Sequence, residues 1–81
     1  MDERTIRESL RSFVVREVIR RPGLQLANNQ GVFTQLGGHS LELAQLGQFI
    51  ASEFRVSIPQ RELTVANFDT LDQMVARVMR G

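Results

Sequence analysis

The sequence predicts an all-α fold, a small helical bundle, and three observations carry that prediction. Apolar residues recur at three- and four-residue steps in three separate stretches, the repeat of one helix face. No stretch alternates apolar and polar residues as a half-buried strand does. Turn-forming residues lie between the stretches, at Pro22-Gly23, at Asn28-Asn29 with Gly31, and at Pro59.

The first helix is expected from about Thr5 to Arg21. Ile6, Leu10, Phe13, Val14 and Val18 define its apolar face. Glu3–Arg7, Arg4–Glu8 and Glu17–Arg21 have the spacing of surface ion pairs. Pro22-Gly23 should end it, because proline cannot continue a helix and glycine accepts a left-handed turn. A loop follows from about Leu24 to His39. It is too long to be a simple connection, so it is either functional or held down by its own side chains. Val32 and Phe33 are the expected anchors, with Leu24, Leu26 and Leu36 in support. A second helix should run from about Ser40 to Phe54, with Leu43, Leu46, Ile50 and Phe54 inward and Phe49 on the flank.

Ser57-Ile58-Pro59 reads as an extended break. Gln60–Val65 is expected to hold a short helix or a single turn, with Leu63 inward. The last helix starts near Thr70, where Gln73 three residues on completes a capping-box pattern. Leu71, Met74, Val75 and Val78 then give a core face, while Met79 falls at its edge. The reading is three main helices plus a short one, in one domain over residues 1–81.

Composition excludes several classes. The chain has 81 residues, of which 42% are hydrophobic, enough for one small core. It has no cysteine, so disulfides and thiolate metal sites are excluded, and a reducing compartment fits. A single histidine excludes a multi-histidine metal site. No apolar run approaches a membrane span and no signal region opens the chain. The expectation is therefore a soluble, cytoplasmic protein without a membrane partner. Net charge is +1, and the arginines of the first 21 residues alternate with acids. That pattern is a solvated face with ion pairs and gives no field for nucleic acid. A serine hydrolase is disfavoured because there is no G-x-S-x-G elbow, no strand and no acid placed to orient a histidine.

The most informative segment is Leu36-Gly37-Gly38-His39-Ser40-Leu41. It ends a stretch, Pro22 to Gly38, that carries no charged residue, and it places Ser40 where the second helix begins. A serine on such a junction is either an ordinary helix cap or a residue exposed for covalent modification. Leu41 and Ala44 fall beside the core stripe, so apolar side chains next to Ser40 are exposed in the manner of a docking surface.

Gly37-Gly38-His39-Ser40-Leu41 resembles the phosphopantetheine attachment segment of acyl and peptidyl carrier proteins, and most of all the form found in peptidyl carriers. Val32-Phe33, Phe54-Arg55-Val56-Ser57-Ile58-Pro59, Glu62-Leu63, Asn67-Phe68 and Asp69-Thr70-Leu71 extend the resemblance along the whole chain. Two departures stand out. Asp69-Thr70 replaces the Pro-Thr pair common in peptidyl carriers, and the second helix has only Glu42 and Glu53 where fatty-acid carriers are strongly acidic.

The resemblance implies a four-helix bundle of the acyl-carrier type and a non-catalytic function. Ser40 would carry 4'-phosphopantetheine, transferred from coenzyme A by a separate phosphopantetheinyl transferase. Gly37, Gly38 and His39 would support the motif, the glycines by a tight turn and by letting an enzyme approach. Leu41, Glu42, Ala44 and Gln45 would form the partner-binding address. The other partners would be an adenylation enzyme or acyltransferase, then condensation, ketosynthase, tailoring or thioesterase enzymes. The Gly38-His39 pair favours an aminoacyl or peptidyl cargo in nonribosomal peptide or hybrid polyketide biosynthesis. The alternatives are an acyl carrier of polyketide or fatty-acid type and, in a different class, an unmodified helical interaction module. A free-standing monomer is the expected state.

Overall fold

The computed structural model describes residues 2–81 and is all-helical among them. Helix α1 spans Glu3–Phe13 and continues as a π-helical turn over Val14–Ile19. A 3₁₀ turn, Ser40–Glu42, leads into α2, Leu43–Phe54. After a second 3₁₀ turn, Gln60–Glu62, come the short α3, Val65–Phe68, and α4, Leu71–Arg80. The expected bundle of three main helices and a short one is present. The segment from Gln60 is richer than expected, since a turn and a separate helix follow one another there.

Helix α1 begins two residues before the expected Thr5 because Asp2 caps it, accepting from the Thr5 amide at 2.8 Å. The helical segment stops at Arg20, ahead of the proline. Arg20 is left-handed at φ 59°, and the Arg21 amide closes on the Val15 carbonyl at 3.1 Å. The π turn has a packing consequence. Val14 and Val15 are adjacent in sequence, yet both are buried with Val18. Widening the turn brings an extra residue to the core side, which the periodicity of a regular α-helix does not anticipate. Phe13, expected on the apolar face, is only half-buried and stacks on Phe49 at 4.2 Å between ring centres.

The core joins all the main helices. Leu10 and Val14 of the α1 segment, Leu46 and Ile50 of α2, and Leu71 and Met74 of α4 are fully buried together. Each such side chain contributes roughly 1.5–3 kcal/mol on leaving water. Phe68 of α3 and Val32 of the loop complete it, so the loop is part of the core and not a flap over it. Arg7 fastens α1 to α4, pairing with Asp72 at 2.7 Å and, as expected, with Glu3 at 3.0 Å. The other two expected ion pairs do not form among the described residues. Glu8 pairs with Arg11 at 2.7 Å, and Glu17 lies 3.9 Å from Arg16. Arg77 reaches Glu62 at 2.9 Å and holds its carboxyl below the usual range, which ties the Gln60–Glu62 turn to α4.

Leu63 points inward as expected, and its seat is a glycine. Gly47 is buried on α2, and a Cβ there would come within 2.9 Å of a Leu63 methyl. No helix of the described residues is long and apolar enough to cross a membrane.

Candidate functional site

The residues singled out by sequence lie together where the loop meets α2, and the loop is held there by three sets of hydrogen bonds. Arg11 reaches the Leu26 carbonyl at 3.1 Å and the Asn28 side chain. The Asp72 amide, an otherwise orphaned donor of the first turn of α4, donates to the Asn28 carbonyl at 3.0 Å. Asp69 holds the next stretch. Its backbone carbonyl accepts from Val32 at 2.7 Å, and its carboxylate accepts from the Phe33 amide at 2.8 Å, the Thr34 amide at 3.2 Å and the Thr34 hydroxyl. Burial pushes the Asp69 carboxyl upward, but these donations outweigh it and hold the group below its ordinary range.

From this anchored stretch the chain turns back. The Gln35 and Leu36 amides both close on the Gly31 carbonyl at 3.0 Å. Gly37 is left-handed at φ 77° and faces open space. Gly38 donates to the Val32 carbonyl at 2.9 Å. Its missing side chain is used for packing, since a Cβ would meet the Val32 oxygen at 2.9 Å and a Val18 methyl at 3.2 Å. The two glycines thus have different duties. Gly37 makes the turn, and Gly38 lets the loop press against its own backbone and the α1 segment.

The cap of the second helical segment is His39, where propensity favours Ser40. His39 has extended backbone, and its Nδ1 accepts from the Leu41 amide at 3.2 Å. That nitrogen is therefore the acceptor of the cap. Ser40 follows as the first residue of the 3₁₀ turn. Its carbonyl accepts from the Leu43 amide, and its hydroxyl has no hydrogen bond among the described residues. It is exposed. No hydrogen bond joins it to the His39 ring, so the pair is not a nucleophile with its base.

Leu41, Ala44 and Gln45 are exposed, and Leu41 is the most open large apolar side chain of the described residues at 78%. Ala44 borders a shallow depression of about 300 Å³ with Gly47, Ile58 and Leu63. Glu42 differs from its neighbours. Its side chain is only 17% exposed and pairs with Arg20 at 3.2 Å, so it joins the end of the α1 segment to the Ser40 turn. Arg21 adds a second tie, donating to the Leu36 carbonyl at 3.4 Å.

Sequence reading missed Asp69, Arg20, Arg21 and the capping role of His39. The Asp69 position had a signal, a carboxylate just outside a capping box opposite a loop with no charge of its own. Nothing local marked Arg20, because an arginine in the left-handed region looks like any other helix-end arginine.

A family model described as phosphopantetheine attachment site matches residues 12–78. No curated protein matches the chain, and no solved structure does.

Proposed function

The chain belongs to the phosphopantetheine attachment site family, and on that premise we propose that Ser40 is the residue that receives the 4'-phosphopantetheine arm. One observation supports this above the others. The only serine in the Gly-Gly-His-Ser run is exposed with an unengaged hydroxyl, because the neighbouring imidazole has taken the capping bond. The positive end of the helical segment favours a negative phosphodiester there, by about 0.3–1 kcal/mol when exposed.

The chain supplies an acceptor and no catalysis in this reading. A separate transferase binds coenzyme A. A bond forms between Ser40 Oγ and phosphorus, the pyrophosphate bond breaks, adenosine bisphosphate leaves, and the serine proton goes to a base outside this chain. That division fits a site with no base hydrogen-bonded to the hydroxyl. The thiol of the arm then holds an intermediate as a thioester, and tethering raises its effective concentration at each partner enzyme.

Gly38-His39 supports an aminoacyl or peptidyl cargo, delivered by an adenylation enzyme, over a polyketide or fatty-acid cargo delivered by an acyltransferase. Sparse acid on α2 supports the same choice. Leu41, Ala44 and Gln45 form the docking address, with Glu42 shaping it through Arg20. Leu41→Glu is expected to slow loading by the cognate enzyme, and unchanged loading would remove Leu41 from the address.

The experiment is intact mass after incubation with coenzyme A, magnesium and a broad-specificity phosphopantetheinyl transferase. A gain of one phosphopantetheinyl group, absent in Ser40→Ala, is expected. No gain in folded protein with two transferases would favour the unmodified helical interaction module.

A further inference from the structure

We propose that Asp69 is a positioning residue for the modification of Ser40, acting through the loop and not on the hydroxyl. The inference rests on the reading of Ser40 as the attachment residue. Asp69 lies just before α4, far along the sequence from the motif, yet three consecutive loop residues hang from it. Its Oδ1 takes two amides and its Oδ2 takes the Thr34 hydroxyl, so both oxygens are committed. The Val32 amide is held by the Asp69 carbonyl, and the Val32 carbonyl in turn holds the Gly38 amide. Gly38 has no slack there, being pressed on the Val32 oxygen and on Val18. One residue later His39 sets the cap, and then comes Ser40.

A plain stabilising role for α4 does not account for this arrangement. Helix α4 has its own cap, with Thr70 Oγ1 accepting from the Gln73 amide at 3.1 Å and Gln73 Oε1 accepting from the Thr70 and Asp69 amides at 3.0 and 2.9 Å. The Asp69 carboxylate has no partner in α4 among the described residues; every donor to it comes from the loop. Its removal should therefore loosen the loop and leave α4 formed. A transferase would then meet the correct Ser40 geometry only part of the time. When one molecule in ten is competent, apparent affinity falls about ten-fold.

The test measures transfer kinetics and amide exchange on the same proteins. Asp69→Leu is expected to lower kcat/KM for phosphopantetheinyl transfer about ten-fold, mostly through KM, by the same competent-fraction argument. Amides of Thr34 and Gly38 should exchange faster, while the Met74 amide inside α4 keeps its protection. Asp69→Asn retains an acceptor for both amides and should restore most of the loss. Thr34→Val, which removes only the hydroxyl contact, should fall between wild type and Asp69→Leu, and it carries the test if Asp69→Leu does not fold. Equal kcat/KM in wild type and in the folded variants overturns the inference alone. So does a loss of protection spread evenly through α4. No transfer to wild type overturns the attachment reading and the inference with it.

Discussion

Helices α4 and α2 start in opposite ways. At α4, Thr70 and Gln73 form a reciprocal capping box, and the first helical residue, Leu71, is fully buried. Ahead of α2, a single imidazole bond of 3.2 Å caps a 3₁₀ turn in which no residue is buried. The start of α4 satisfies its orphan amides with side chains and with the Asn28 carbonyl. The turn before α2 leaves the Ser40 hydroxyl open to a partner. This small bundle thus has a buried, fully capped helix start at one place and an exposed, unbonded hydroxyl at the other. Both are linked, because Asp69 beside α4 anchors the loop that leads to Ser40.

The largest contrast should come from truncating the leucine at each helix start. Leu71→Ala is expected to cost about 2–5 kcal/mol in urea unfolding, the range for a fully buried leucine. Leu41→Ala should stay within about 0.5 kcal/mol, as an exposed position does. Similar costs at the two sites would erase the contrast. Next come the glycines of the motif. Gly38→Ala should cost about 1–3 kcal/mol through overpacking against Val32, and Gly37→Ala about 1–2 kcal/mol through its left-handed backbone. Backbone shifts at Val32 in NMR spectra are expected for the first and not for the second.

Replacing the caps separates the two helix starts further. Thr70→Ala should cost about 1 kcal/mol, and His39→Ala less, since its single bond is longer and exposed. Thermal unfolding of the two variants side by side checks the order. The smallest effect is the acid dependence of the Asp69 clamp. The folded carboxyl is held below its ordinary value of 3.8 by the Thr34 hydroxyl and the Phe33 and Thr34 amides, against burial. Its contribution is therefore complete above that value and is lost as pH falls through the lower folded value. Stability measured from pH 5 down to pH 2 should fall less steeply in Asp69→Asn than in wild type.

The same pair of helix starts explains how far sequence could be read. Helix α4 was legible in full, from the Thr70–Gln73 cap through Leu71, Met74, Val75 and Val78, because each signal lies within a few residues of the next. The burial of Val32 was legible from its apolar character. Its anchor was not, since Asp69 is 36 residues from Phe33, and a carboxylate beside a capping box marks a candidate without naming the loop amides it holds. The position of Ser40 was legible from the motif, whereas its freedom was not. Serine is a favoured cap and histidine is not, so propensity assigns the cap to the wrong neighbour. The π turn of the α1 segment escaped for a related reason. Val15 is buried by packing against the rest of the bundle, and a regular repeat places it elsewhere.

The central claim is tested most directly by locating the added group with fragment-ion mass spectrometry after transfer from coenzyme A. The segment between Arg20 and Arg55 carries three hydroxyl side chains, Thr34, Ser40 and Ser52. The phosphopantetheinyl mass is expected on Ser40 alone, the hydroxyl that His39 leaves unbonded ahead of α2. The mass on Thr34, on Ser52 or on any residue outside this segment would contradict the assignment.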